Sequence, residues 1–286
     1  MKIIRAKHLG MCFGVRDAIA IAQAAAREEP VTVLGQLVHN ATVVERMTEA
    51  GVRFSDHPED VDTGRGLITA HGASERFRRR AEALGLKITD TTCPLVTSAH
   101  RALHGLVAEG YHPVVVGRRD HVEVRGLTED LREFDVVIDA ADIERLPSRS
   151  RFGVCSQTTQ PIARVMELVE RMRCRFRDSE VRFIDTVCQP TKQRQQSAVE
   201  VAARADVVIV VGGRNSNNTA ELTETCRQFC ECVHQVTGPG ELNADWFENV
   251  RTAGLTAGTS TPDDVIAAVE RRMSEMATNR RFATRD

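Results

Sequence analysis

The stretch ADVVIVVGG, residues 205–213, decides the fold. Its centre is a run of five valine and isoleucine residues, 207–211, that is apolar on both alternating faces. A continuous run of this kind is typical of a strand buried on both sides in a parallel sheet. The polar loop GGRNSNN, residues 212–218, follows it and leads into a helical pattern. The order strand, loop, helix predicts a βα unit.

The same alternation of strand and helix patterns continues in both directions along the chain. Ser74 has the character of a helix N-cap, and Gly51 and Gly85 end helical patterns. Regular alternation predicts an α/β fold with mostly parallel sheets. The other predicted strands are residues 2–6, 31–36, 66–72, 86–89, 112–117, 135–139, 151–155, 181–188 and 253–258. The predicted helices are residues 15–27, 41–50, 74–84, 95–109, 166–173 and 198–205 and one from about residue 262, before a polar tail at 277–286.

The composition disfavours several classes of function. The 286 residues carry 38 Lys and Arg against 40 Asp and Glu, so a net charge of −2 does not indicate a nucleic-acid partner. No apolar run approaches the roughly 20 residues of a membrane span, and no signal peptide is readable. We therefore expect a cytoplasmic protein with neither a membrane nor a nucleic-acid partner. The length allows about two domains, or three smaller ones.

Three of the eight cysteines share one local setting. Cys93 and Cys188 each end an Asp-Thr-x-Cys motif that follows an apolar strand and comes shortly before a helix. Cys12 lies in a loop between a strand pattern and a helix start. The three lie 81 and 95 residues apart, which indicates three related α/β modules. Because α/β proteins bind ligands at the carboxyl ends of their strands, each module offers one thiol at its binding edge.

Three such thiols favour a soft metal centre. A chain of this size without an export signal is expected in a reducing compartment, where thiolates suit zinc or an iron–sulfur cluster. The trio lacks the closely spaced pairs of a structural zinc site. A cubane cluster on three cysteines would leave one iron open to a substrate oxygen. The alternative is that each cysteine is a small buried residue.

The remaining five cysteines are predicted to be structural. Cys155 and Cys174 lie in apolar or amphipathic segments. The CxxxCxC group of Cys226, Cys230 and Cys232 could bind a second metal, but His234 is its only nearby additional ligand. We expect this group to be structural as well.

Polar residues near the strand ends indicate an anionic, diphosphate-bearing substrate. His39, His71 and His121 lie at or near such ends, and two loops of small and amide residues, 212–218 and 256–262, precede helices. Backbone N–H groups, hydroxyls and amides at helix N-termini bind phosphate. Neither loop has P-loop spacing, which disfavours ATP hydrolysis by that fold. The alternatives are plain helix capping and structural histidines.

Glu123 and Thr158 are candidates for proton transfer. Glu123 lies two residues after His121, and near an apolar strand end its carboxyl could hold a raised pKa and deliver protons. The spacing alone favours a solvated surface glutamate instead. Thr158, in the segment 157–159 after another strand, could relay a proton through its hydroxyl or merely cap the next segment.

Taken together, these segments resemble the LytB/IspH family. The resemblance runs through nearly the whole chain, in the family's order. Its motifs are MCFGVRDAI (11–19), LVHN (37–40), AHG (70–72), DTTCPLV (90–96), HVEV (121–124), SQTT (156–159), DTVCQPT (185–191), VVGGRNSNNT (210–219) and TAGTSTPD (256–263). Each motif alone is weak, and nine in order are specific.

The resemblance implies an architecture and a cofactor. Three small α/β domains would form a pseudo-threefold trefoil around a central 4Fe-4S cluster, held by Cys12, Cys93 and Cys188 with one iron open to the substrate's hydroxyl oxygen. The domains would be residues 1–90 with Cys12, 91–185 with Cys93, and 186–286 with Cys188 and the C-terminal tail.

It also implies an activity. The family reduces (E)-4-hydroxy-3-methylbut-2-enyl diphosphate to isopentenyl and dimethylallyl diphosphate with two electrons and two protons, the last step of the methylerythritol phosphate pathway to isoprenoids. Electrons would come from ferredoxin or flavodoxin. Glu123, helped by Thr158, would deliver protons. The residues implied for substrate binding are His39, His71, His121, Thr158, Ser216, Asn217, Asn218 and Ser260.

The chain departs from the family pattern mainly in one loop. Arg118 stands in place of a usual histidine, Val122 in place of proline and Leu127 in place of threonine. Asn217 and the Gln-Pro pair at 189–190 are further departures. Two alternatives follow: a paralogue that acts on another allylic or diphosphate substrate, and a non-catalytic iron–sulfur or zinc protein that senses redox state.

Overall fold

A computed structural model describes the backbone of residues 1–283 and the side chains of residues 1–277. The described part contains twelve strands and ten α-helices. The strands are β1 (Lys2–Arg5), β2 (Val31–Leu34), β3 (Val52–Ser55), β4 (Arg65–Ile68), β5 (Lys87–Asp90), β6 (His112–Val116), β7 (Asp135–Val137), β8 (Arg151–Ser156), β9 (Glu180–Phe183), β10 (Val207–Val211), β11 (Val233–Val236) and β12 (Thr252–Ala257). The helices are α1 (Phe13–Glu28), α2 (Ala41–Glu49), α3 (Glu75–Ala83), α4 (Pro94–Ala108), α5 (Val122–Thr128), α6 (Ala140–Arg145), α7 (Ile162–Arg175), α8 (Gln189–Ala202), α9 (Asn217–Arg227) and α10 (Asp263–Ala283).

The first of two compact units comprises Met1–Phe13, His39–Val43 and the chain from Gln189 onward. It holds sheet A, in the order β1-β12-β10-β11, with all strands parallel. Alternate residues of β10 face opposite layers: Val207, Ile209 and Val211 belong to a cluster with residues of α10, and Val208 and Val210 to a cluster with residues of α8 and α9. Full burial of each such side chain stabilises the fold by roughly 1.5–3 kcal/mol. The valine run therefore forms the doubly covered strand that its sequence predicts.

The second unit comprises Gly14–Val38 and Val44–Cys188. It holds two more parallel sheets, sheet B in the order β3-β2-β4-β5 and sheet C in the order β7-β6-β8-β9. In sheet C, Val114 and Val116 pack in a cluster with α7, whereas Val115 packs in a cluster with α4 and α5. The predicted α/β fold with parallel sheets is confirmed.

All three sheets share one strand order. Reading from one edge, each has an outer strand (β3, β7 or β11), two central strands, and a closing edge strand (β5, β9 or β1). In sheets B and C these four strands follow one another along the chain, but sheet A takes its closing strand, β1, from the N-terminus. Domain 1–90 was expected to contain β1, yet β1 pairs with β12, because backbone pairing does not require neighbours in sequence. The division into three domains stays a prediction.

Other local predictions differ from the structure in identifiable ways. The strand predicted over 181–188 ends at Phe183, because Asp185 accepts a hydrogen bond from the Val187 N–H in a polar turn. The short strands β3 and β11 and the short helices α5 and α6 were not predicted. The predicted tail at 277–286 begins inside α10, and residues 284–286 lie outside the described part of the chain. No helix within the described residues combines the length and the apolar character needed to cross a bilayer.

Candidate active site

The three candidate ligand cysteines occupy equivalent positions at helix starts. Cys12 directly precedes α1, Cys93 is the N-cap of α4, and Cys188 directly precedes α8. Each comes after the closing edge strand of its sheet, β1, β5 or β9. The predicted setting of strand, loop, cysteine and helix is therefore confirmed for all three.

A repeated backbone hydrogen bond fixes each of these cysteines to its own sheet. The N–H of Cys12 donates to the carbonyl of Thr259 at 3.1 Å, and the N–H of Cys93 donates to that of Ala70 at 3.0 Å. The N–H of Cys188 donates to the carbonyl of Thr158 at 2.9 Å. Every acceptor lies two residues beyond the end of the strand that pairs with the closing strand. Each cysteine is thus held at the carboxyl end of a parallel sheet, where α/β proteins bind ligands.

The environment of the thiols separates these three cysteines from the others. Cys12, Cys93 and Cys188 are part-exposed, whereas burial raises the pKa of Cys155 and of Cys226 to about 12. The latter two are core residues, as predicted.

Glycine makes room beside one of the candidate ligands. A Cβ built on Gly14 would lie 2.6 Å from the Cys93 Sγ, much closer than any side-chain carbon can approach. Soft, accessible thiols with space around them fit a metal cluster.

The cysteines of the CxxxCxC group lie in different surroundings. Cys226 and Cys230 are buried in the core against α8, and the Cys230 thiol donates to the carbonyls of Ala205 and Cys232 at 3.4 Å. Among the described residues, no three His, Cys, Asp or Glu side chains are grouped so that one metal ion could contact them all. Cys232 is exposed, as is Cys174, which was expected in a structural role.

Glu123 is buried, so the interpretation as a solvated surface glutamate is wrong. Its side chain is 1% exposed at the second position of α5, and its Oε1 accepts a hydrogen bond from the Thr158 N–H at 2.6 Å. Burial raises the pKa of the Glu123 carboxyl to about 7, and the hydrogen bonds from Thr158 oppose this shift. Near neutral pH this group holds a proton that it can give up, which is the property of a general acid.

The histidine at the start of α5 is oriented by its own helix. His121 is the N-cap, and its Nδ1 accepts a hydrogen bond from the Glu123 N–H at 3.1 Å. Neutral His121 therefore carries its proton on Nε2, which leaves that atom as a donor. The His71 ring stands edge-on to it, with the ring centroids 5.6 Å apart. The structure brings these two predicted substrate ligands together in the second unit.

The three residues that differ from the family pattern in and near α5 are compatible with a regular helix. Val122 is the first residue of the helix, a position that proline also tolerates. Leu127 is fully buried and packs in the cluster that contains Val115. Arg118 is half-exposed and pairs with Asp120 at 3.2 Å.

In the first unit, the start of α9, which follows β10, carries three predicted substrate ligands, Ser216, Asn217 and Asn218. Ser216 is the N-cap of α9 and accepts a hydrogen bond from the Thr219 N–H, so the capping interpretation holds for this hydroxyl. Asn218 Oδ1 accepts from the Thr259 N–H at 2.9 Å. Among the described residues, Asn217 Nδ2 and Ser260 Oγ are buried without a hydrogen-bond partner. Unsatisfied buried donors are rare, and these two are available to an anionic ligand.

His39 lies near the loop between β10 and α9. A Cβ built on Gly213 would lie 2.5 Å from the His39 carbonyl oxygen, so only glycine allows this close approach. Burial lowers the pKa of the His39 imidazole, which favours its neutral form.

Thr219 is a residue that sequence reasoning missed. Its Oγ1 is buried without a hydrogen-bond partner in the described part of the chain, and a Cβ on either Gly212 or Gly258 would collide with it. The sequence does contain a signal for Thr219, because it is the last residue of the VVGGRNSNNT segment that carries the family resemblance.

Known proteins are similar to this chain over nearly its whole length. The family model described as LytB protein matches residues 3–274. The chain belongs to the LytB family. A curated relative from Syntrophotalea carbinolica, named 4-hydroxy-3-methylbut-2-enyl diphosphate reductase, is 37% identical over 97% of this chain and 100% of its own length. A relative of the same name from Pelobacter propionicus is 36% identical over 96% of this chain and 99% of its own length.

Two solved structures from the family are also similar. The E-1-hydroxy-2-methyl-but-2-enyl-4-diphosphate reductase of Plasmodium falciparum matches with a TM-score of 0.88 and 25% identity, covering 94% of this chain and 87% of that chain. A second structure, described as (E)-4-hydroxy-3-methyl-but-2-enyl diphosphate reductase, the terminal enzyme of the non-mevalonate pathway, matches with a TM-score of 0.67 and 33% identity. It covers 96% of this chain and 99% of that chain.

Proposed function

We propose that this LytB-family chain is a reductase that converts (E)-4-hydroxy-3-methylbut-2-enyl diphosphate to isopentenyl and dimethylallyl diphosphate. One observation carries the proposal beyond family membership. The buried Glu123 carboxyl, with a pKa near 7, accepts from the N–H of Thr158, and the carbonyl of the same Thr158 accepts from the N–H of Cys188. The proposed proton donor, Glu123, and the candidate cluster ligand Cys188 are thus both hydrogen-bonded to the backbone of Thr158.

Cys12, Cys93 and Cys188 are the proposed ligands of a 4Fe-4S cluster. Their soft donor type, their partial exposure and the space that Gly14 leaves beside Cys93 support this assignment. When bound, the cluster would pass on the two reducing electrons one at a time and would offer an open Lewis-acidic iron. Small carriers such as ferredoxin or flavodoxin are the proposed electron source, and the cytoplasm the proposed location.

The diphosphate is the proposed ligand of the polar residues at the strand ends. Asn217 Nδ2 and Ser260 Oγ are buried donors that lack a hydrogen-bond partner among the described residues. The Nε2–H of neutral His121 is a further donor, and helix N-termini add backbone N–H groups and a favourable dipole. The complete proposed set is His39, His71, His121, Thr158, Ser216, Asn217, Asn218 and Ser260.

Glu123 is the proposed general acid, with Thr158 as its helper. The substrate loses its hydroxyl group as water, which takes up one proton, and the allyl fragment takes up two electrons and the second proton. Glu123 gives its proton to the leaving hydroxyl. Thr158 helps because its N–H and its hydroxyl both form hydrogen bonds with the Glu123 carboxyl group. The Glu123 carboxylate then regains a proton from the solvent, for which a pKa near 7 is suited, and can supply the second proton in the same way.

Anaerobic purification followed by iron and sulfide analysis, Mössbauer spectroscopy and turnover with a chemical reductant tests the proposal. We expect about four irons with one distinct site, lost or degraded in Cys93→Ser, and reduction of the diphosphate substrate. A loaded cluster that leaves this substrate untouched but reduces another allylic diphosphate would indicate a paralogue. Metal without any turnover would indicate a sensor, and stoichiometric zinc would exclude the redox mechanism.

A further inference from the structure

A buried arginine on α8 connects two segments of the chain that matter for the proposed cluster. Arg194 is only 9% exposed in the first unit. Its Nε donates to the carbonyl of Gly10 at 2.8 Å, and its Nη1 donates to the carbonyl of Pro190 at 3.0 Å. Gly10 lies two residues before Cys12, and Pro190 lies two residues after Cys188. One guanidinium thus bonds to the chain beside two candidate ligands.

The burial of this side chain requires a physical reason. Removing a guanidinium from water is costly unless hydrogen bonds in the protein replace those it made to water. Arginine presents several N–H donors in a rigid planar fork, so it can hold two carbonyls in a fixed relation. A lysine in the same place has one ammonium group on a flexible stem and cannot reproduce that geometry.

The segment before Cys12 has little regular structure of its own to fix it. It runs from the end of β1 to the start of α1, and Gly10 within it has a φ of +73°. Its backbone is held by the Gly10 N–H to the Ala257 carbonyl at 3.1 Å and by the Cys12 N–H to the Thr259 carbonyl. These two bonds fix one side of the segment to the end of sheet A.

The other side of the segment is held by α8. Besides the bond from Arg194, Ser197 Oγ accepts a hydrogen bond from the His8 N–H at 3.3 Å. Arg194 and Ser197 are three residues apart on the helix, so they share a face. The loop that ends in Cys12 is therefore clamped between the end of sheet A and one polar, buried face of α8.

We propose that Arg194 is a positioning residue for the cluster: by holding the Gly10 and Pro190 carbonyls it sets the place of the Cys12 thiol. The proposal rests on the proposed function for the role of Cys12 as a ligand. It predicts that loss of the guanidinium frees the Cys12 segment before it affects the rest of the fold.

The test compares Arg194→Met, Arg194→Lys and Val201→Ala in full-length, anaerobically purified protein. Val201 lies seven residues further along the same helix and packs against Gly254 of β12, so its truncation loosens the packing of α8 on sheet A while keeping the Arg194 guanidinium. Two quantities are measured: amide hydrogen exchange of residues 8–12, and the rate at which a chelator removes iron from the cluster, followed by its absorbance.

We expect Arg194→Met to speed exchange of residues 8–12 at least tenfold and iron loss at least threefold. Arg194→Lys is expected to give intermediate values, since one bond can be kept, and Val201→Ala to leave both at the wild-type level. Wild-type exchange at residues 8–12 in both Arg194 variants, or equal acceleration in Val201→Ala, would overturn the proposal. A wild-type protein that holds no iron would refute the proposed function instead, and the exchange data would still decide whether Arg194 fixes the segment.

Discussion

Glu123 and Asn218 occupy equivalent positions beside two different sheets, sheet C and sheet A. Each is the second residue of the helix that follows the first central strand of its sheet, α5 after β6 and α9 after β10. Each side-chain oxygen accepts a hydrogen bond from the backbone N–H of a threonine, Thr158 or Thr259, two residues beyond a strand end. The carbonyl of that threonine then accepts from the N–H of a candidate ligand cysteine. One copy of the arrangement carries a carboxyl group and the other an amide.

The buried carboxyl should make the stability of the protein depend on pH. The folded-state pKa of Glu123 is raised to about 7 from an ordinary value of 4.5, so the folded protein holds this proton more tightly than the unfolded chain. The stabilisation is complete below about pH 4.5 and is lost as pH rises to about 7, a change on the order of 3 kcal/mol. Denaturant unfolding at several pH values measures it. Glu123→Gln removes the titrating group, and identical pH profiles for the two proteins would contradict the assignment.

Glu123→Gln should also separate proton delivery from folding and metal loading. Glutamine keeps an oxygen for the Thr158 N–H but has no proton to give, so we expect kcat to fall by about 10²–10⁴ with unchanged iron content. In the wild type, kcat should fall by about tenfold per pH unit above pH 7, because the acid form is then depleted. Steady-state rates with a chemical reductant from pH 6 to 9 provide the check. Undiminished turnover in the variant would assign the proton to another group.

Asn218→Asp should weaken substrate binding while leaving the fold intact. An aspartate oxygen can still accept from the Thr259 N–H, and the dipole of α9 favours a negative charge in its first turn, so we expect a smaller loss of stability than in Asn218→Ala. The added negative charge and the lost amide donor oppose a diphosphate, and KM should rise by at least about tenfold. Asn218→Ala is the comparison, since it loses the acceptor and should lower both stability and affinity. Unchanged KM in the aspartate variant would remove Asn218 from the proposed site.

Gly14→Ala should impair loading of the cluster. The new Cβ would lie 2.6 Å from the Cys93 Sγ, so that either α1 or the thiol must move. We expect iron content to fall by half or more after anaerobic reconstitution. Gly105→Ala, within α4, is the matched control, because nothing lies within 4 Å of its Cβ and alanine favours a helix by about 0.5–1 kcal/mol. Full iron loading of the Gly14 variant would show that the space beside Cys93 is not needed.

Ser260 and Thr261 are adjacent buried residues whose hydroxyls should respond differently to removal. Ser260 Oγ has no partner among the described residues, so Ser260→Ala should change the free energy of unfolding by less than about 0.5 kcal/mol and raise KM about tenfold. Thr261 Oγ1 donates to the Val211 carbonyl at 2.9 Å, so Thr261→Val should cost about 1 kcal/mol of stability. Thermal unfolding and steady-state kinetics of both variants measure these two effects. A marked loss of stability in Ser260→Ala with unchanged KM would assign its hydroxyl to the fold.

The sequence predicts the fold class because its signal is local. The run Val207–Val211 is apolar on both faces, and Ser74, the predicted N-cap, caps α3 by accepting a hydrogen bond from the Phe77 N–H. The setting of each candidate ligand cysteine at a helix start is equally local and equally readable. The pairing of β1 with β12 depends on contacts between opposite ends of the chain, which no local pattern encodes.

The candidate site is predictable only as a set of residue types. Glu123 was expected on the surface because spacing gives no information about burial, and its pKa depends on that burial. The link from Glu123 through Thr158 to Cys188 consists of backbone hydrogen bonds, and backbone groups are the same in every residue. Arg194 was missed for the same reason, since its partners are carbonyl oxygens.

The origin of β1 has a consequence for biosynthesis. Among the described residues, the strand that pairs with β1 in sheet A is β12, and the strands of sheets B and C lie between the two in the chain. A ribosome therefore releases β1, with Cys12 just behind it, long before the partner strand exists, whereas β5 and β9 emerge after the strands they pair with. Until β12 is made, β1 has no strand to pair with in sheet A, whereas the strands that precede Cys93 and Cys188 can pair as soon as they are made. Sheet A can be completed only after nearly all of the described chain has been made.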